Sequence, residues 1–260
     1  MIESVYRNSG INFNFIETPK NGSPLLLVHG NMGRWQAFSP IIPDLIHKHH
    51  IYALDLRGHG KSSHAAGTYT LQTHMTDVIS FINDQIKLSV TIFGMSLGGM
   101  IGLMAAAHYP ELVQQVIVAD SPLTFETLFP IVKSQRDFGH QVIHYLQTKQ
   151  TQKLYEVLND DFASESFCAC DIDVLVGTFD RYEEMVAGYN MEKLFPAIHC
   201  PTLIMRGEAS LGSMITDNDM IKAKSLLPTL QDRKITGVGH SLLQNKEIVL
   251  ETVMQFLAKM

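Results

Sequence analysis

A chain of 260 residues with 45% hydrophobic content can bury a substantial core, and its length suits one large α/β domain carrying an insertion. Its net charge of −6, with no basic stripe anywhere along it, argues against a nucleic-acid surface. The opening "MIESVYRNSG" lacks the basic region and apolar stretch of a secretory signal, and no apolar run approaches membrane-spanning length, so neither secretion nor a membrane is expected. Three cysteines, Cys168, Cys170 and Cys200, show no paired C-x-x-C pattern and fit a reduced, cytoplasmic protein in which all three are structural.

In chain order, "SVYR" and "INFNFI" alternate like half-exposed strands and predict an antiparallel edge hairpin. The runs "LLLV" (25–28), "IYALDL" (51–56), "VTIF" (90–93), "VIVA" (116–119), "TLIM" (202–205) and "KIT" (234–236) then read as strands. Helical patterns lie between and after them, such as "LQTHMTDVISFINDQI" (71–86) and the terminal "EIVLETVMQFLAKM". This alternation predicts a mostly parallel twisted sheet with helices on both faces. The histidines of "HKHH" (47–50) read as a solvated turn rather than a metal site, because adjacent residues on one loop rarely converge on an ion.

From Ser121 to Phe195 the rhythm breaks into helical patterns without a central strand, which predicts a helical lid (121–195) inserted into a core of residues 1–120 and 196–260. That interval holds 12 acidic and 6 basic residues and so carries the whole net charge. Solvated outer helical faces account for such a balance. Any part of it facing an entrance would disfavour anionic ligands.

"TIFGMSLGGM" is the most informative stretch. A strand ends at Phe93, a helix begins near Leu97, and Ser96 occupies the turn between them with Gly94 and Gly98 two positions away on each side. A serine on so sharp a turn needs neighbours without side chains, because the backbone segments nearly touch, and the turn pushes its hydroxyl out beyond the sheet. Three further stretches fall in step with it. "LLLVHGNMG" places a histidine-glycine pair directly after a strand, "IYALDLRGHGKS" gives the next strand and a glycine turn, and "GVGHS" sets His240 after the last strand and before the last helix.

With these four motifs in this order, the chain resembles the α/β-hydrolase family, in the branch with a helical lid, over essentially its whole length outside that lid. "GMSLGGMIGLMAAAHYPELV" is most similar to the corresponding stretch of enol-lactonases and small carboxylesterases. The resemblance implies that Ser96 attacks an acyl carbon while His240 takes its proton and passes it to the leaving group. It also implies that the backbone N–H groups of Asn31 and Leu97 hold the developing oxyanion. A serine at this position disfavours the epoxide hydrolases and haloalkane dehalogenases of the same layout, which use an aspartate. The carbon–carbon hydrolases are similar but carry a different glycine-rich oxyanion loop. His29 and His59 read as braces of their glycine turns, and Asp55 and Arg57 as structural.

The acid of such a triad commonly follows the strand that here reads "PTLIM", but Ser210 stands at that place and offers no negative charge. Three carboxylates remain open. Asp120 ends the preceding strand, "VIVADSP", at the rim where open α/β sheets build their sites. Glu208 lies close to the usual position, and Asp217 precedes a helix with Asp219, where N-capping explains both. The function expected is hydrolysis of a small-molecule carboxylic ester or lactone through an acyl-serine, without metal or organic cofactor. A binding or signalling protein that keeps the fold, and an acyltransferase or perhydrolase, are the rival readings.

Overall fold

The computed structural model describes residues 1–258. Its strands are β1 (Ile2–Asn8), β2 (Ile11–Glu17), β3 (Ser23–Val28), β4 (His49–Leu54), β5 (Val90–Met95), β6 (Val113–Ala119), β7 (Thr202–Arg206) and β8 (Gln231–Lys234). They form one eight-stranded sheet in the order β1-β2-β4-β3-β5-β6-β7-β8. The β1–β2 and β2–β4 pairs are antiparallel and the others parallel. The hairpin turns on Ser9 and Gly10, both at positive φ (50° and 79°), the backbone that a two-residue turn needs to match strand twist.

Central strands are apolar on both faces because helices cover both. In β3, Leu26 and Val28 pack into one core layer while Leu25 and Leu27 pack into the other. The helix α1 (Leu71–Phe81) begins at Thr70, whose side chain accepts from the Thr73 N–H. The helix predicted over 71–86 does not keep one geometry. It widens to π over Ile82–Ile86, and Lys87, at φ 60°, stops it with a hydrogen bond back to the Ile82 carbonyl (2.7 Å). The helix α2 (Leu97–His108) is apolar all round and is buried from Leu97 to Ala106 between the sheet and its neighbours.

Between β6 and β7 the chain makes α3 (Phe125–Ser134), α4 (Arg136–Gln147), α5 (Thr151–Leu158), α6 (Asp161–Cys168), α7 (Ile172–Asp180) and three single turns, and no strand interrupts them. Val142, Leu154, Val174 and Leu175 give this insertion a small core of its own, closed by Tyr69 from the sheet domain. The chain ends with α8 (Asp217–Leu226) and α9 (Lys246–Leu257); the last two residues of the predicted terminal helix lie outside the described residues. Among the described residues no helix is long and apolar enough to cross a membrane.

Two local expectations are corrected. The last strand lies at 231–234 rather than 234–236, because an edge strand takes polar residues, whereas the apolar Ile235 packs into the core just beyond it while still donating to the Arg206 carbonyl (2.8 Å). His49 and His50 are not a solvated turn but open β4; only His47 and Lys48 lie in the turn. His50 is buried on the same face as Tyr52, and its Nε2 lies 2.8 Å from Glu17 of β2, which pairs in register with Tyr52.

Candidate active site

Ser96 sits between β5 and α2 with φ 50° and ψ −116°, a backbone that side-chain-bearing residues rarely adopt and that costs of order 1–3 kcal/mol. Packing imposes it. A Cβ on Gly94 would overlap the Gly98 backbone, and one on Gly98 would overlap the Val28 carbonyl, so the strand and helix close to a distance only glycines allow. The Ser96 N–H is tied to the Ala119 carbonyl (3.0 Å), which fixes the turn against β6.

Asp120 follows β6, also at positive φ (46°), and is completely buried. Its N–H donates to the Met205 carbonyl of β7 (2.8 Å), so the pairing of β6 with β7 sets its height at the rim. Four donors surround its carboxylate. Gly207 N–H (3.3 Å) and the Ser213 hydroxyl reach Oδ1, while Met214 N–H (2.9 Å) and His240 Nδ1 (2.8 Å) reach Oδ2. Burial of a carboxyl group is costly unless its oxygens are matched by donors in this way.

The other two carboxylates are engaged elsewhere. Glu208 accepts the Gly237 N–H (2.7 Å) and so braces the loop that carries His240 instead of touching the imidazole. Asp217 is mostly exposed and pairs with Arg206 (2.5 Å) and Lys234 (3.3 Å), which hold its carboxyl below the usual range. It is the first residue of α8 rather than the cap: Thr216 caps the helix and exchanges hydrogen bonds with Asp219. Ser210 lies exposed on a short 3-10 turn. The loop after β7 is instead packed backbone to backbone on the His240 loop, since a Cβ on Gly207 would overlap the Gly239 carbonyl and one on Gly239 the Leu211 carbonyl. That packing turns its amides toward Asp120, a use of Gly207, Ser213 and Met214 for which no local sequence signal exists.

Ser96, His240, Asn31 and Leu97 all line one cavity of about 490 Å³ between the sheet rim and the insertion. No Asp, Glu, Lys or Arg among the described residues lines it, so the insertion's negative charge lies away from its walls. The N–H groups of Asn31 and Leu97 have no protein acceptor among the described residues, and the second opens α2, where unpaired amides and the helix dipole favour negative charge. Asn31 is steadied by the insertion, its side-chain amide donating to Thr178 Oγ1 of α7 (2.7 Å).

His29 and His59 brace their turns. His29 lies 2.7 Å from the Gly30 carbonyl through Nδ1 and accepts the Leu56 N–H at Nε2 (3.0 Å), and burial pushes it down to about 4. His59 bonds the Arg57 carbonyl (2.8 Å) and is pushed down to about 3, again chiefly by burial. Asp55 accepts the Trp35 and Lys61 N–H groups, and Arg57 forms a two-pronged pair with Asp77 (2.5 and 2.6 Å), so both are structural. The three cysteines are unpaired.

Comparison with known proteins agrees with this architecture. The family model described as alpha/beta hydrolase fold matches residues 23–244, and the chain belongs to that family. A putative esterase/lipase of Haemophilus influenzae is 27% identical over 98% of this chain and 91% of its own length. Ethanol acetyltransferase 1 of Cyberlindnera jadinii is 34% identical over 104 residues, 39% of this chain and 31% of that protein. The chain thus spans about a third of that relative's length. A carboxylesterase structure from the thaumarchaeon Nitrososphaera gargenis superposes with a TM-score of 0.80 at 19% identity, covering 99% of this chain and 98% of that one, which shows a shared fold.

Proposed function

We propose that this protein is a serine hydrolase that cleaves uncharged carboxylic esters or lactones through an acyl-Ser96 intermediate. The observation that carries the reading is the 2.8 Å contact between His240 and a fully buried, four-donor Asp120, in a cavity whose wall also holds Ser96 on a strained turn. Ser96 Oγ attacks the acyl carbon as its proton passes to His240 Nε2, and Asp120 holds the Nδ1 proton and stabilises the imidazolium. The Asn31 and Leu97 amides receive the oxyanion, one such donor being worth roughly 3 kcal/mol in the transition state. Collapse releases the alcohol, which takes the proton from His240, and water then repeats the sequence to free the acid and restore Ser96. The insertion, residues 121–195, serves as the lid that walls the acyl site from solvent.

A fluorophosphonate should label Ser96, and Ser96→Ala should lose both labelling and esterase activity. Folded protein that resists the probe across neutral pH would instead favour a ligand-binding role. The similarity to an ethanol acetyltransferase supports a second reading, transfer of the acyl group to an alcohol, in a cavity whose apolar walls disfavour water. Product partition in added ethanol separates the two: mainly acid means hydrolysis, mainly ethyl ester means transfer.

A further inference from the structure

His74, on α1, stands in the wall of the same cavity, and the acyl-transfer sequence above makes no use of it. It is completely buried, and neither ring nitrogen has a hydrogen-bond partner among the described residues. Buried polar groups are rarely left so, and each that is calls for a ligand or an ordered water to complete it. The contrast lies next to it. His29, His59 and His74 form a row with ring centroids 5.2 and 6.0 Å apart, and the first two have protein partners while His74, which is among the residues lining the cavity, has none among the described residues.

The ring is also held in place. Tyr69 stacks on it at 6.4 Å with planes 16° apart, and His59 meets it edge-on. Burial, with the neighbouring His59, Arg57 and His29, keeps it well below the ordinary histidine range and therefore neutral. A neutral imidazole offers one donor and one acceptor. That pair complements a hydroxyl, or through its N–H a keto or amide oxygen, and supplies no counter-charge for a carboxylate.

We infer that His74 is a specificity-determining residue that hydrogen-bonds an uncharged polar group, a hydroxyl or keto oxygen, carried by the substrate away from the scissile bond. The inference rests on reading the cavity as an ester-hydrolase site. It makes the preferred substrate a hydroxylated or keto-substituted acyl ester or lactone rather than a plain aliphatic one, since a site with a buried polar group discriminates against ligands that leave it unpaired.

The test is a panel of p-nitrophenyl hexanoates bearing a hydroxyl at successive chain carbons, each compared with the plain hexanoate, together with the matched methyl ketones, whose binding requires no turnover. At least one hydroxylated isomer should exceed the plain ester in kcat/KM by about tenfold or more, with a parallel ratio of ketone Kd values. In His74→Leu that ratio should collapse to about one, and in His74→Gln, which keeps a neutral donor and acceptor, part of it should remain. A ratio near one across the wild-type panel would assign the His74 nitrogens to an internal water and overturn the inference, as would an undiminished ratio in His74→Leu. If His74→Leu does not fold, the wild-type panel and His74→Gln decide. Wild-type protein that hydrolyses no ester yet prefers the hydroxylated ketone, and loses that preference on substitution, would sink the hydrolase reading while leaving the role of His74 intact.

Discussion

Asp120 differs from the other two candidate acids in its surroundings. Four donors meet its carboxylate inside the protein, whereas Asp217 is exposed and Glu208 is bonded to a backbone amide. Exchange of Asp120 for asparagine keeps the shape but removes the charge and offers His240 an amide that can favour the wrong tautomer. Asp120→Asn should therefore lower kcat by up to ~10⁴ with little change in KM. Asp217→Asn breaks only an exposed ion pair, worth about 0–1 kcal/mol, and should leave kcat within about twofold. Steady-state kinetics on the two folded variants checks both, and a near-normal kcat in Asp120→Asn would remove it from the triad.

At the scale of elements, the insertion both lines the cavity and is tied to the sheet domain. Its helix α7 is docked on the sheet domain: the Asp171 N–H donates to the Gly58 carbonyl (2.8 Å), Tyr69 donates to the Asp171 carboxylate (2.5 Å), and Thr178 receives the Asn31 amide. Its acidic surplus, however, lies away from the cavity wall. On the proposed function, discrimination against an anionic ester is expected from stripping water off a carboxylate in an uncharged site, not from repulsion across solvent. A neutral ester should exceed its carboxylate-bearing counterpart in kcat/KM by roughly 10²-fold or more, and raising salt from 20 to about 500 mM should not close the gap, because salt screens only solvent-exposed charge. Loss of the preference at high salt would show that surface steering causes it.

For the whole molecule, the buried histidines tie stability to pH. His29 and His59 are held near 4 and 3 in the folded chain, while in the unfolded chain they titrate near 6.5. Below that value the unfolded state binds more protons than the folded one, so stability falls as pH drops from 6.5 toward 4, by an amount on the order of 3 kcal/mol per imidazole over the full range. Asp55 and Asp77, whose carboxyls burial raises, act in the opposite sense. Urea midpoints between pH 7 and pH 5 should therefore decline steadily, and His59→Gln should flatten the slope; a level midpoint would contradict neutral burial. By itself the sequence determined the alternation of strands and helices, the Gly94–Ser96–Gly98 turn and the position of His240, because hydrophobic period and glycine sterics act between residues close in the chain. The tertiary structure decided the rest. Bringing Asp120 rather than Glu208 or Asp217 within 2.8 Å of His240 required the β6–β7 register and the packing of two distant loops, which decide where amides point. The burial of His50 required β2 to supply Glu17, and the empty hydrogen-bonding capacity of His74 became visible only once its neighbours were in place. Partners of a buried polar group come from anywhere in the chain, and no local pattern records them.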